Sequence, residues 1–223
     1  MIRAILAILR KDLTLELRKA ENFIAMMFFA VIILLIFSFA LPPDNDNHKN
    51  LAPGVFWVTF LLSGILGLSK SFALEKDLGC MEALLLAPIS RGAIFLGKML
   101  GTLVFLLLML ALLIPLFSLL FYPEALPYFF EVLGLSMVTA LGFSSLGTLL
   151  SGLTTDVRFK EILLPILLFP LLIPLLLASV EILAGIFAGR GFQGELDWLK
   201  LLVGFDLIFL IASYLTFDFV MEL

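Results

Sequence analysis

The sequence predicts an all-α polytopic membrane protein: six spanning helices, an N-terminal interfacial helix, and a short cytoplasmic helix between the second and third spans. Three observations carry this. Of 223 residues, 62% are hydrophobic and 14% charged, whereas soluble domains average about 45–50% and about 25%. A water-soluble core of this length cannot hide so much apolar surface, so lipid is the solvent. The apolar residues also gather into six windows, 23–41, 51–69, 93–121, 128–150, 162–187 and 199–220, each close to or above the about 20 residues of helix that cross a bilayer. Finally, Lys and Arg fall eleven on one side of those windows and three on the other, and the basic side marks the cytoplasm.

Residues 1–20 precede the first window. Ile2, Leu6, Leu9, Leu13 and Leu17 share one helical face, with Arg3, Arg10 and Arg18 beside it. Such a helix lies in the headgroup plane, basic side chains toward anionic lipid. A cleaved signal peptide is the rival reading, with 23–41 as its core and Ser38-Phe39-Ala40 as the cleavage site. That core exceeds the about 7–15 residues usual for a signal, so a retained span is expected.

Pro42-Pro43-Asp44 and Tyr122-Pro123-Glu124 read as stops between neighbouring spans, and Pro127 suits the start of the fourth. Tilt accommodates the long third window. The fifth contains Pro165, Pro170 and Pro174, then Glu181. It is expected to cross by about Leu177, with 180–187 turning back as a shallow outer segment; a backbone break at that depth requires shielding by protein. With both termini cytoplasmic, Trp57 and Trp198 fall near outer span ends, where indole rings favour the interface.

Several chemistries find no support. The net charge is −4 with no long basic block, which argues against nucleic acid as a partner. One cysteine, Cys80, excludes an internal disulfide and any cysteine-based metal cluster. Gly92-Ala93-Ile94-Phe95-Leu96-Gly97-Lys98-Met99 approaches the phosphate-cradling loop, but Met replaces the magnesium-binding hydroxyl and no strand precedes it. Lys98 is read instead as a snorkelling interfacial lysine. Ser144 and Ser145 lack a base and read as helix-packing residues beside Gly142, Gly147 and Gly152. His48 lies in an outer, polar loop and is expected to be solvated rather than to ligate haem. Asp206, Glu181 and Glu131 are intramembrane or boundary carboxylates; spacing supplies no partner, and inward polar contact or a shallow position is the expectation. The chain is not expected to be an enzyme, nor to bind a cofactor or metal itself.

The segment "ALEKDLGCMEALLLAPISR", residues 73–91, is charged at its start and apolar at its end. Gly79 and Glu82 fit a capping pair, and the helix must end near Pro88. That leaves about two turns, with Met81, Leu84, Leu85 and Pro88 on one face and Glu75, Lys76 and Asp77 ahead in water. A short helix of this kind, held by two spans, suits a groove on a soluble protein and passes any displacement straight to those spans. ABC permeases receive the stroke of their ATPase subunits in this way. A helix resting on lipid without a partner is the alternative.

The chain resembles the haem exporter protein B family (CcmB). Leu51-Ala52-Pro53-Gly54-Val55-Phe56-Trp57, followed by Leu61-Leu62-Ser63, is similar to the family's outer-loop and second-span pattern. Phe72, Glu75, Leu78, Gly79 and Glu82 follow its coupling stretch, with Glu75 in place of an aspartate and Leu78, next to Asp77, displacing a second. Leu86-Ala87-Pro88, Lys98 and the run Phe169-Pro170-Leu171-Leu172-Ile173-Pro174-Leu175 continue the match. Gly101-Thr102-Leu103 and Arg158-Phe159-Lys160-Glu161 depart from it.

The resemblance implies an exporter-type ABC permease of the bacterial inner membrane, homodimeric, with ATP hydrolysed in a separate ATPase subunit. Its further implied partners are a haem-handling membrane protein and a periplasmic haem chaperone, with haem as possible cargo. Glu75, Asp77, Gly79, Met81, Glu82, Leu84, Leu85 and Pro88 then form the ATPase-coupling site. Asp156, Arg158, Lys160 and Glu161 form a second cytoplasmic contact, and Pro53, Gly54 and Trp57 the outer-loop motif. With no histidine in any span, mechanical coupling that releases haem-loaded chaperone is favoured over a haem channel. An exporter permease for another hydrophobic substrate, lipid or drug, and a non-transport scaffold are the alternatives.

Overall fold

A computed structural model describes residues 1–18, 20–41, 47–77, 89–153 and 160–220. Among these every regular element is helical. Helix α1 spans Ile2–Arg18, α2 Glu21–Ala40, α3 Asn47–Asp77, α4 Arg91–Leu120, α5 Phe129–Leu153, α6 Lys160–Phe187 and α7 Leu196–Val220. Short 3-10 turns at Pro123–Tyr128 and Phe192–Glu195 lead into α5 and α7. Six helices, α2 to α7, are long and apolar enough to cross a membrane. Their alternation puts α1, the end of α3, the start of α4 and the end of α7 on one side, here the near side. His48, Tyr122 and the Phe192–Glu195 turn lie on the far side.

Helices α3 and α5 are mostly buried, while α2 and α7 mostly face outward. In lipid, helices gain little from hiding apolar surface and associate by close packing instead, so small residues collect at their contacts. Helix α5 shows why it is central: Ser136, Thr139, Ala140, Ser144 and Ser145 are completely buried. A Cβ at Gly147 would overlap Leu68 of α3, and one at Gly142 would overlap Asp206 of α7 and Leu175 of α6. The packing role expected for Ser144, Ser145, Gly142 and Gly147 is the one seen. Between α2 and α3 the device recurs, with Gly67 opened to the thioether of Met26.

The main core fills the bundle between α2 and α7. Phe56 and Phe117 meet edge to face at 5.3 Å, and Phe60 packs on Phe143 at the same separation. A second, smaller core on the near side joins Ile8 of α1 to Ile94, Phe95 and Met99 of α4 and Phe217 of α7.

Helix α6 corrects an expectation. It runs unbroken from Lys160 to Phe187 through all three prolines and does not turn back after Leu177. Leu164, Leu168, Leu172, Leu175, Ile182 and Ile186 recur at helical spacing and are buried, whereas Pro170 and Pro174 lie on the exposed face. Each proline removes one N–H. Breaking the helix would orphan several more backbone groups in a medium without water, so continuity wins.

Candidate functional site

Helix α3 continues eight residues beyond the expected end of its span, to Asp77. It therefore carries the backbone of Glu75 and Asp77 on an uninterrupted rod, instead of leaving them as free chain in water. Helix α4 begins at Arg91 after an extended Ser90. Gly79, Met81, Glu82, Leu84, Leu85 and Pro88 lie outside the described residues, as do Asp156 and Arg158. Lys160 and Glu161 open α6, placed by backbone alone. The candidate site is thus defined by its supports: the near-side roots of α3 and α4.

Those roots are anchored on several sides. The root of α3 meets α2 at Gly67 and α5 where Leu68 lies over Gly147. At the α4 root the Tyr214 ring lies against Gly92, and Phe95 packs on Phe217 of α7 at 5.2 Å. Helix α1 covers what remains of α4. Gly97 accepts the Ile8 side chain, and Gly101 faces the Asp12 carboxylate. Lys98, only 3% exposed, places Nζ 3.7 Å from Asp12 Oδ2, while Lys11 Nζ lies 2.8 Å from Asp12 Oδ1. The Asn22 amide donates to the Gly67 carbonyl at 3.1 Å and reaches the Glu16 carboxylate at 3.4 Å. A cavity of about 30 Å³ between Asp12, Glu16, Gly67, Lys98 and Gly101 has room for a water.

Two expectations change here. Lys98 does not snorkel; it is buried beneath α1. Nor does α1 rest on lipid alone: its apolar stripe remains largely exposed at Ile2 and Leu6, but an adjoining face with Ile8 and Asp12 packs on α4. Sequence reasoning missed this contact although a signal was present. Gly97 and Gly101 form a G-x-x-x-G pair, the spacing that opens a groove on a membrane helix.

On the far side, Pro53, Gly54 and Trp57 are all inside α3, so the motif is helical and not a loop. Trp57 is not interfacial. It is 1% exposed, and its indole Nε1 donates to the Ser179 carbonyl at 2.9 Å, whereas Trp198 remains partly exposed near the start of α7. His48 is buried and not solvated: its ring stacks on Phe121 at 4.3 Å, and Nδ1 and Nε2 lie 3.0 and 2.9 Å from the carbonyls of Leu41 and Phe121. Both partners are acceptors, so a neutral imidazole donates its one N–H to one of these two carbonyls. Beside it, Lys49 donates to Glu124 at 3.0 Å, and Tyr122 Oη donates to the same carboxylate at 3.0 Å. Burial, then that hydrogen bond, pushes the Tyr122 phenol up to about 12, which keeps it a neutral donor. These groups line an open cavity of about 390 Å³.

Of the three carboxylates, Glu131 and Glu181 are exposed and Asp206 is buried, pointing inward against α5 as one of the two expected arrangements has it.

Fold and site together define a polytopic, all-helical membrane protein in which two long helices, α3 and α4, end and begin on the near side of the bundle. Residues 3–221 match the family model described as CcmB protein, and the chain belongs to that family. It is 32% identical over 189 residues to the Heme exporter protein B of Rhodobacter capsulatus, covering 84% of each chain. It is 33% identical over 190 residues to that of Pseudomonas aeruginosa, covering 85% of this chain and 84% of the relative. The Escherichia coli K12 protein of the same name is 31% identical over 94 residues, covering 42% and 43%.

Proposed function

We propose that this chain is the permease subunit of an ABC exporter in c-type cytochrome maturation, receiving the stroke of a partner ATPase at residues 79–88. The observation that carries the reading is the unbroken course of α3 to Asp77 and the fixed start of α4 at Arg91. A force that reaches Asp77 or Arg91 passes into packed helices on both sides. Family membership and relatives named as heme exporters support haem as the exported species or as the cargo of a chaperone being released. The sequence has one histidine, His48, buried near the far-side start of α3, which favours the second form, mechanical release, over a path that hands haem from one histidine to another. The eleven-to-three division of basic residues supports a near side in the bacterial cytoplasm, with both termini there. A homodimer carrying two ATPase copies, a haem-handling membrane protein and a periplasmic haem chaperone complete the proposed assembly. ATP hydrolysis belongs to the partner subunit.

The test is Leu85→Asp in the full-length chain, co-expressed with its ATPase. The variant should insert normally yet lose co-purification of the ATPase; undiminished ATPase binding would reject docking at this segment. Measuring haem and ATP hydrolysis in the purified wild-type assembly separates the haem reading from a lipid or drug exporter. A scaffold would leave ATP hydrolysis unstimulated.

A further inference from the structure

Asp206 lies near the middle of the sixth span, Phe192–Phe217. It is 2% exposed, and neither carboxylate oxygen has a hydrogen-bond partner among the described residues. The carboxyl sits in a notch that exists only because residue 142 is glycine: a Cβ there would overlap Asp206 Oδ1 and Leu175 Cδ1. Helix α7 has a broad exposed face at Leu207, Ile208, Ile211 and Leu215, yet its acidic residue is turned away from that face into the α5–α6 junction.

The notch is not isolated among apolar groups. One turn toward the far side, Thr139 Oγ1 and Ser179 Oγ are 2.8 Å apart, and Trp57 closes on the Ser179 carbonyl. Further out, Ser136 is fully buried with an unpartnered hydroxyl; toward the near side, Ser145 of α5 and Ser213 of α7 are the same. Polar atoms therefore continue along α5 in both directions from the carboxyl. Ionisable groups on the surrounding helices stand well away. Glu131 on α5 and Glu181 on α6 are exposed, and Glu181 is about 9 Å of helical rise from Leu175. Lys200 and Tyr214 are about 9 and 12 Å along α7 from Asp206, and Lys98 of α4 pairs with Asp12.

An ionised carboxylate at mid-membrane needs a counter-charge or water, and the residues facing Asp206 supply neither. We propose that Asp206 is an intramembrane proton-binding site, occupied while α7 is seated in the Gly142 notch and vacated when α7 parts from α5. Loading forms an O–H bond at one carboxylate oxygen, the proton coming from hydronium, which leaves as water; unloading is the reverse. The site couples proton exchange to the α5–α7 contact and is independent of what docks at residues 79–88.

Infrared spectra of the full-length protein in lipid nanodiscs at neutral pH test this. Wild type should show the carbonyl stretch of a protonated acid, and Asp206→Asn should lose it. Raising the pH until that band disappears should lower the thermal stability of wild type and leave that of Asp206→Asn level. If the variant does not fold, wild type with isotope-labelled aspartate replaces it, and the protonated-acid band should shift with the label. Aspartate signal confined to the carboxylate region, or pH-dependent stability equal in both proteins, overturns the proposal.

Discussion

Trp57 shows how one side chain is placed by partners rather than by its distance from a span end. Its ring meets Phe56 at 5.1 Å and Phe60 at 5.6 Å, both edge to face, and its N–H reaches across to α6. An interhelical hydrogen bond in a membrane is worth about 0.6 kcal/mol on average, whereas truncating a buried aromatic costs about 3–5 kcal/mol. Trp57→Phe should therefore lower the thermal unfolding temperature in detergent only slightly, and Trp57→Ala severely. Equal losses would mean that the hydrogen bond, not the ring packing, holds α3 to α6. Sequence position gave the indole a lipid headgroup as its partner; only the packed bundle supplied the Ser179 carbonyl.

At the scale of elements, helix existence was legible and helix company was not. All six spans appear where the apolar windows lie, with ends shifted by a few residues and α3 extended to Asp77. The three prolines of α6 misled because each was weighed as a local breaker, while the buried stripe from Leu164 to Ile186 acts along the whole helix. Helix α1 is the converse case. Its exposed apolar stripe was readable, but its second face has only Ile8 and Asp12 to mark it, and their meaning depends on Gly97 and Gly101 about ninety residues away. The contact is testable by cross-linking. In a Cys80→Ser background, Ile8→Cys with Gly97→Cys should form an intramolecular disulfide on mild oxidation of membranes, while Ile2→Cys with Gly97→Cys should not. Absence of the first cross-link, or equal formation of both, would detach α1 from α4.

At the scale of the whole molecule, charge decides which way the bundle faces. The division of Lys and Arg predicts Lys49 outside and Arg3 inside. With Cys80 replaced by Ser, a membrane-impermeant maleimide should label Lys49→Cys in intact cells whose outer membrane is permeable, and Arg3→Cys only after lysis. The reverse pattern would put the α3–α4 link on the wrong side for a cytoplasmic ATPase and remove the proposed coupling with it. The same geometry explains why the site is only partly legible from its surroundings. The roots at Gly67, Gly92, Gly97 and Lys98 are fixed by side-chain contacts, but the docking proposed for residues 79–88 depends on the surface of a second protein.

Composition and the spacing of apolar runs were enough to determine a helical membrane protein of six spans, because a backbone in lipid has to bond to itself and each window must be about one bilayer long. The quoted motifs were enough to identify its family. Tertiary structure alone decided which helices are central, that α1 clamps α4, that His48 and Trp57 face inward, and that Asp206 fills the space left by Gly142. Lipid does not sort one apolar face from another, so those choices rest on the fit of individual side chains between helices far apart in the chain.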